Sequence, residues 1–116
     1  MSLPGDERRF LELKNTLAGL GHFRRGSVQR RFMKCGKPGC RCQATPPKLH
    51  GPYYEWTRKV RGKTVSVRLT EDQALLFRQW VANAKDLDRI VKEMERLSYR
   101  LTEPALRAAR RPPPPT

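Results

Sequence analysis

Apolar residues open the chain at helical spacing, at Phe10, Leu13, Leu17 and Leu20, behind a Pro4-Gly5-Asp6 start. Gly19 and Gly21 stop the pattern, which predicts a short helix over about 6–19 within an N-terminal region of residues 1–21. Gly26 and Ser27 begin a new segment, and VQRRFM from Val28 to Met33 reads as a strand with Val28 and Phe32 on one face. After a turn-rich stretch, YYEWTRKV and TVSVRL flank Arg61-Gly62-Lys63, the clearest hairpin signal in the chain. Alternation places Tyr54, Trp56 and Val60 on one apolar face with Val65, Val67 and Leu69. The other face would show Tyr53, Glu55, Thr57, Lys59, Thr64, Ser66 and Arg68, a wet, basic and hydroxyl-rich surface.

Thr70 then caps a long helix, with Gln73 three residues on and Glu71 and Asp72 where the helix dipole favours acids. Leu76, Trp80, Asn83, Leu87, Ile90, Met94, Leu97 and Leu101 follow in alternating steps of four and three, a heptad seam with one polar member. Such a seam either folds back on the first helix or joins two chains, with Asn83 fixing the register. The helix is longer than a small sheet can cover, so a homodimer through this C-terminal helix is expected. Pro104 should end it, leaving 104–116, which close in RRPPPPT, as a disordered Pro-rich tail. These elements define an α+β fold. A short N-terminal helix is followed by a small two- to three-stranded antiparallel sheet with a cysteine knuckle over 22–69, then by a long helix over 70–103.

Charge changes the picture most. The chain carries +14, and 13 of its 25 Lys and Arg fall between His22 and Leu69 against a single acid, Glu55. That segment therefore holds +12, and everything else only +2. A charge so dense on a compact region recruits polyanions, which makes nucleic acid the expected partner, DNA favoured over RNA. The basic residues expected at the interface are Arg24, Arg25, Arg30, Arg31, Lys37, Arg41, Arg58, Lys59, Arg61, Lys63 and Arg68, most of them on phosphate. Tyr53 joins them as a base-stacking candidate, because Tyr54 and Trp56 belong to the core-facing side. No membrane partner is expected: the chain has no 18-residue apolar run and no apolar signal segment, so a cytoplasmic protein with reduced thiols is anticipated.

All three cysteines lie in KCGKPGCRC, with the spacing C-x4-C-x-C, and His50 follows soon after. Cys35, Cys40, Cys42 and His50 form a Cys₃His set of the kind that holds one structural zinc ion, wrapped by Gly36, Pro38 and Gly39. An odd cysteine count argues against a closed disulfide framework, and only 37% of the chain is hydrophobic, a thin core that a metal would reinforce. Without a metal the same stretch is a tight turn with free thiols. Paired carboxylates, a Ser/His/Asp set and a phosphate loop are all missing, so no enzyme is expected.

The ordered set RGSVQRRFMKCGKPGCRC, HGPYYEW and RGK, followed by the long helix, resembles a family of small uncharacterised prokaryotic proteins often found in mobile-element settings. Its shared pattern is RGS…CGKPxCRC…HGPYY…GK, matched over roughly 25–100. The hairpin and helix are also similar in architecture to the arm-type DNA-binding domains of integrases, from which the cysteine knuckle is a departure. Both resemblances imply DNA transactions. The expected function is thus a non-catalytic nucleic-acid-binding accessory protein. A protein–protein adaptor using the long helix, and a thiol or metal sensor, are the alternatives.

Overall fold

A computed structural model of the protein describes residues 4–109. It shows an α+β chain in the order α1 (Pro4–Ala18), β1 (Ser27–Met33), a 3-10 turn (Arg41–Gln43), β2 (His50–Val60), β3 (Lys63–Leu69) and α2 (Glu71–Ala109). Among the described residues, two compact units share α2: residues 4–21 with 85–109, and residues 22–84.

In the second unit the strands form one antiparallel sheet in the order β1-β2-β3. The expected alternation holds, since Tyr54 pairs with Leu69, Trp56 with Val67 and Thr57 with Ser66. Arg58 pairs with Val65 and so lies on the apolar face, between Trp56 and Val60. The hairpin turn is two residues, Arg61 (φ 51°) and Gly62 (φ 79°), the left-handed pair of a type I′ turn whose twist suits the strands. Trp56, Leu69, Ala74 and Val81 are buried together, with Val28, Tyr54 and Phe77 packed against them. Val67 stays 42% exposed and Val60 38%, so the apolar face is closed near Trp56 and Leu69 but not toward the turn. Ala74, Phe77 and Val81 are too few and too small to roof the whole hairpin.

α2 starts as its sequence predicts. Thr70 Oγ1 accepts from the Gln73 N–H at 3.1 Å, and Gln73 Oε1 accepts from the Thr70 N–H at 2.9 Å, a complete capping box. The seam is another matter. Leu76 is 54% exposed, and the residues one position on from its first members, Phe77, Val81 and Ala84, face the core with Ala74. The small side chain of Ala74 lets the helix approach the sheet, which sets that stripe. Asn83 is buried and does a local job: its Nδ2 donates to the His22 carbonyl at 2.7 Å while its Oδ1 accepts from Gln79 at 2.9 Å. Together with a hydrogen bond from the Arg24 N–H to the Trp80 carbonyl (3.2 Å), this lays the chain after His22 along the helix.

In the first unit α1 and the later part of α2 pack as an antiparallel pair around Leu13, Ile90 and Leu97, flanked by Phe10, Leu17, Met94 and Leu101. Arg9 bridges Glu93 with two hydrogen bonds of 3.0 and 3.2 Å, and Arg100 meets Asp6 at 2.8 Å. The later seam residues are therefore filled within the chain by α1. Beyond Leu101 the helix does not stop at Pro104 but runs on to Ala109. Proline removes one backbone donor, which costs the Arg100 carbonyl its partner, yet Ala105, Leu106 and Ala108 are strong helix formers that carry the turn onward. The rest of the anticipated tail, 110–116, lies outside the described residues. Among the described residues no helix is long and apolar enough to cross a membrane.

Candidate metal centre and basic sheet face

The cysteine cluster hangs from the β1–β2 pairing. Met33 is the Cα partner of His50, so Cys35, two residues past Met33, starts the knuckle beside the imidazole. Between Arg31 and Met33 the register shifts, giving β2 one extra residue around Gly51 and Pro52. Only glycine fits there: Gly51 has φ +140°, and a Cβ would lie 2.7 Å from the Arg31 carbonyl oxygen and 2.9 Å from the Phe32 ring. The turn that brings back Cys40 is closed by its N–H on the Lys37 carbonyl (3.3 Å), with Gly39 at φ +81°. A 3-10 turn then lifts Cys42 inward, where it is fully buried.

The thiol sulfurs of Cys35, Cys40 and Cys42 and the His50 imidazole come within 4.8 Å of one another. Cys35 and Cys42 Sγ are 3.5 Å apart, and Cys40 Sγ lies 3.0 Å from His50 Nε2. Around a tetrahedral ion with bonds of about 2.3 Å to sulfur, donor atoms sit about 3.8 Å apart, so small shifts would complete the shell. The four residues form a cluster that can hold a metal ion. Cys40 is lowered to about 6, first by the Cys42 backbone N–H and then by His50 and the other two thiols. The Lys37 N–H draws Cys35 down, but its hydrogen bonds with Cys40 and Cys42 and its burial outweigh this and push it up.

A neighbour that the spacing did not single out completes the arrangement. Gln43 Nε2 donates to the Cys35 carbonyl at 2.9 Å and reaches Cys42 Sγ at 3.8 Å, fixing the two cysteines that bracket the turn. Its position directly after CRC was the one available signal.

The basic residues named from the sequence do not share a single surface. Arg31, Tyr53, Lys59 and Arg68 lie on the sheet face away from the core, with Thr57, Ser66 and Thr64. Arg61 is in the turn. Lys37 and Arg41 are on the cysteine loop, the first before Cys40 and the second at the head of the 3-10 turn. Arg30, Arg58 and Lys63 fall on the opposite side by their pairing with Tyr54, Val65 and Val60. Arg24 and Arg58 are instead stacked on the core: their guanidinium carbons lie 4.9 and 4.1 Å from the centre of the Trp56 ring, and Arg58 Nη1 is buried with no hydrogen-bond partner among the described residues. The Arg25 carbonyl accepts from the Trp56 indole N–H at 3.0 Å, and its side chain approaches Phe23. Gly26 makes this approach possible, since a Cβ there would stand 2.8 Å from the indole nitrogen. On the open face Arg31 pairs with Glu55 at 3.8 Å, and Arg68 covers Tyr53 at 4.5 Å.

No curated protein and no solved structure matches this chain. A family model described as a domain of unknown function (DUF6788) matches residues 5–79, more than half of the chain and all of the knuckle and sheet, and the chain belongs to that family.

Proposed function

We propose that this protein is a non-catalytic nucleic-acid-binding accessory protein whose basic sheet engages phosphates, with DNA the first ligand to test. The observation that carries this reading is the coincidence of charge and fold. The stretch His22–Leu69, with 13 basic residues and one acid, contains the whole sheet and the knuckle, and that acid is already paired with Arg31. Arg31, Lys59 and Arg68 stand on a face rich in hydroxyls and poor in aliphatic side chains, which suits a polyanion better than an apolar protein partner. The knuckle serves this surface as a structural site. A Cys₃His set fits zinc, carries one net negative charge when metallated, and sits among Lys34, Lys37 and Arg41, which offset it. Binding to duplex DNA, single strands and structured RNA, each titrated with salt, is the test. Affinity that falls steeply as salt rises supports the reading, and absence of binding at low salt removes it.

A further inference from the structure

The helical pair of the first unit has two unlike edges. One is closed by charge: Arg9 meets Glu93 and Arg100 meets Asp6, with Arg89, Lys92 and Arg96 gathered round Glu93. The other edge has no such seal. A groove of about 540 Å³ is lined there by Phe10, Lys14, Leu17, Ala18 and Met94, and a second, of about 620 Å³, takes in Glu7 and Leu11 beside Phe10 and Lys14. Leu11 is 55% exposed, and Val91, one turn before Met94, is 45% exposed. Glu7, Leu11, Lys14 and Ala18 fall at steps of four, three and four, so they form one stripe of α1, set to one side of the buried Leu13. The core between the two helices rests on Leu13, Ile90 and Leu97 alone, a thin layer that further helices would thicken.

We infer that this open edge is a self-association surface, on which α1 of a second copy packs antiparallel to give a symmetric four-helix dimer. The charges on the stripe name the occupant. Glu7 and Lys14 stand two turns apart, about 10 Å along the axis, with the apolar Phe10 and Leu11 between them. A two-fold axis passing between Phe10 and Leu11 sets Glu7 opposite Lys14 of the second copy and Lys14 opposite its Glu7, while Leu11 meets Phe10. Neither Glu7 nor Lys14 has an ion-pair partner among the described residues, so both can make these pairs. An unrelated helix would have to reproduce this spacing of opposite charges, whereas an identical chain supplies it by symmetry. The α2 seam is a poorer dimer surface, because its later members Ile90, Met94, Leu97 and Leu101 already pack with α1. A dimer built through α1 also carries two basic sheets in one particle.

Sedimentation equilibrium of the full chain, from about 1 to about 100 µM, reads the mass directly. The wild type approaches twice its 13.5 kDa as concentration rises. Leu11→Glu stays at 13.5 kDa throughout, while Leu76→Glu, at the exposed start of the α2 seam, dimerises as the wild type does. Glu7→Lys sets like charges together at both symmetric contacts and weakens the dimer by about 2- to 30-fold, a factor of about 1.4 to 5 at each. Adding Lys14→Glu to that variant restores opposite charges and wild-type association, a rescue that a merely structural role for either residue would not give. Circular dichroism shows that each variant keeps its helices. A wild type that is monomeric at about 100 µM overturns the inference, and so does a dimer that survives Leu11→Glu or is lost in Leu76→Glu. Failure of the charge swap to restore what Glu7→Lys loses overturns it as well.

Discussion

Gly51 is the position at which one methyl group should do the most damage. Its φ of +140° is open almost only to glycine, and forcing alanine there costs about 1–3 kcal/mol. The added Cβ would also stand 2.7 Å from the Arg31 carbonyl oxygen and 3.2 Å from the Phe32 Cα, both backbone atoms that cannot rotate away. Relief requires β1 to part from β2 at the knuckle, which sacrifices one or two ladder hydrogen bonds of about 1 kcal/mol each. Together Gly51→Ala should destabilise the protein by about 2–5 kcal/mol, a large share of what holds a small domain together. Urea unfolding followed by tryptophan fluorescence reads this directly, because Trp56 is buried in the same sheet. Displacement of His50, the next residue back, should weaken metal binding by the cysteine cluster as well. Gly36→Ala is the control: a methyl group added at Gly36 would meet no atom within 4 Å, and its φ is not positive, so stability should stay within about 0.5 kcal/mol of wild type. A Gly51→Ala protein that unfolds within about 1 kcal/mol of wild type would refute the register argument.

Three further outcomes are expected. If the cluster holds zinc as proposed, treatment with a chelator, or replacement of the fully buried Cys42 by Ser, should lower the melting temperature by well over 10 °C, since a structural zinc ion contributes on the order of 10 kcal/mol; unchanged melting together with no bound zinc in the purified protein would end the metal assignment. Arg61→Asn should raise stability by about 1 kcal/mol, because asparagine tolerates the left-handed conformation that Arg61 holds at φ 51°, and should weaken nucleic-acid binding through the lost charge. Loss of stability in that variant would contradict the turn assignment. Arg58→Met keeps the stem against Trp56 and deletes the unpartnered Nη1; the gain of about 1–3 kcal/mol from removing a buried orphan donor offsets the roughly 2 kcal/mol lost with a desolvated cation–π contact. Thermal unfolding should show a protein of near wild-type stability, and a strong loss would mean that the guanidinium has a partner.

Much of this fold was legible because local signals and tertiary packing agree. The Arg61-Gly62 turn, the alternation through Tyr54 and Trp56 and the Thr70–Gln73 cap are short-range patterns, and each has its expected counterpart in the structure. The knuckle residues were legible from spacing alone, since only Cys35, Cys40, Cys42 and His50 offer soft ligands in that region. What escaped depends on long-range choice. The seam drawn through Leu76 satisfies helical periodicity, but the residues that bury are selected by the sheet, which prefers the small Ala74 and the ring of Phe77. Asn83 reads as a register device in a coiled coil, and nothing local shows that it will hold the His22 carbonyl. The basic residues could be counted but not sorted. Arg24 and Arg58 read as phosphate contacts in the sequence, yet the structure stacks both on the Trp56 ring.

The central claim is that the sheet of this DUF6788 member binds nucleic acid through its open basic face. Its most direct test is the salt dependence of binding, wild type against a variant with Lys59 and Arg68 changed to Glu. If Arg31, Lys59, Arg61 and Arg68 each meet a phosphate, the logarithmic slope is about −3.6, and affinity drops about 150-fold between about 50 and 200 mM salt. The double variant should keep its melting temperature, lose most of its affinity and retain about half of the slope, about −1.8. Binding that is absent at about 50 mM salt, or that persists in the variant with the slope of the wild type, would contradict the account.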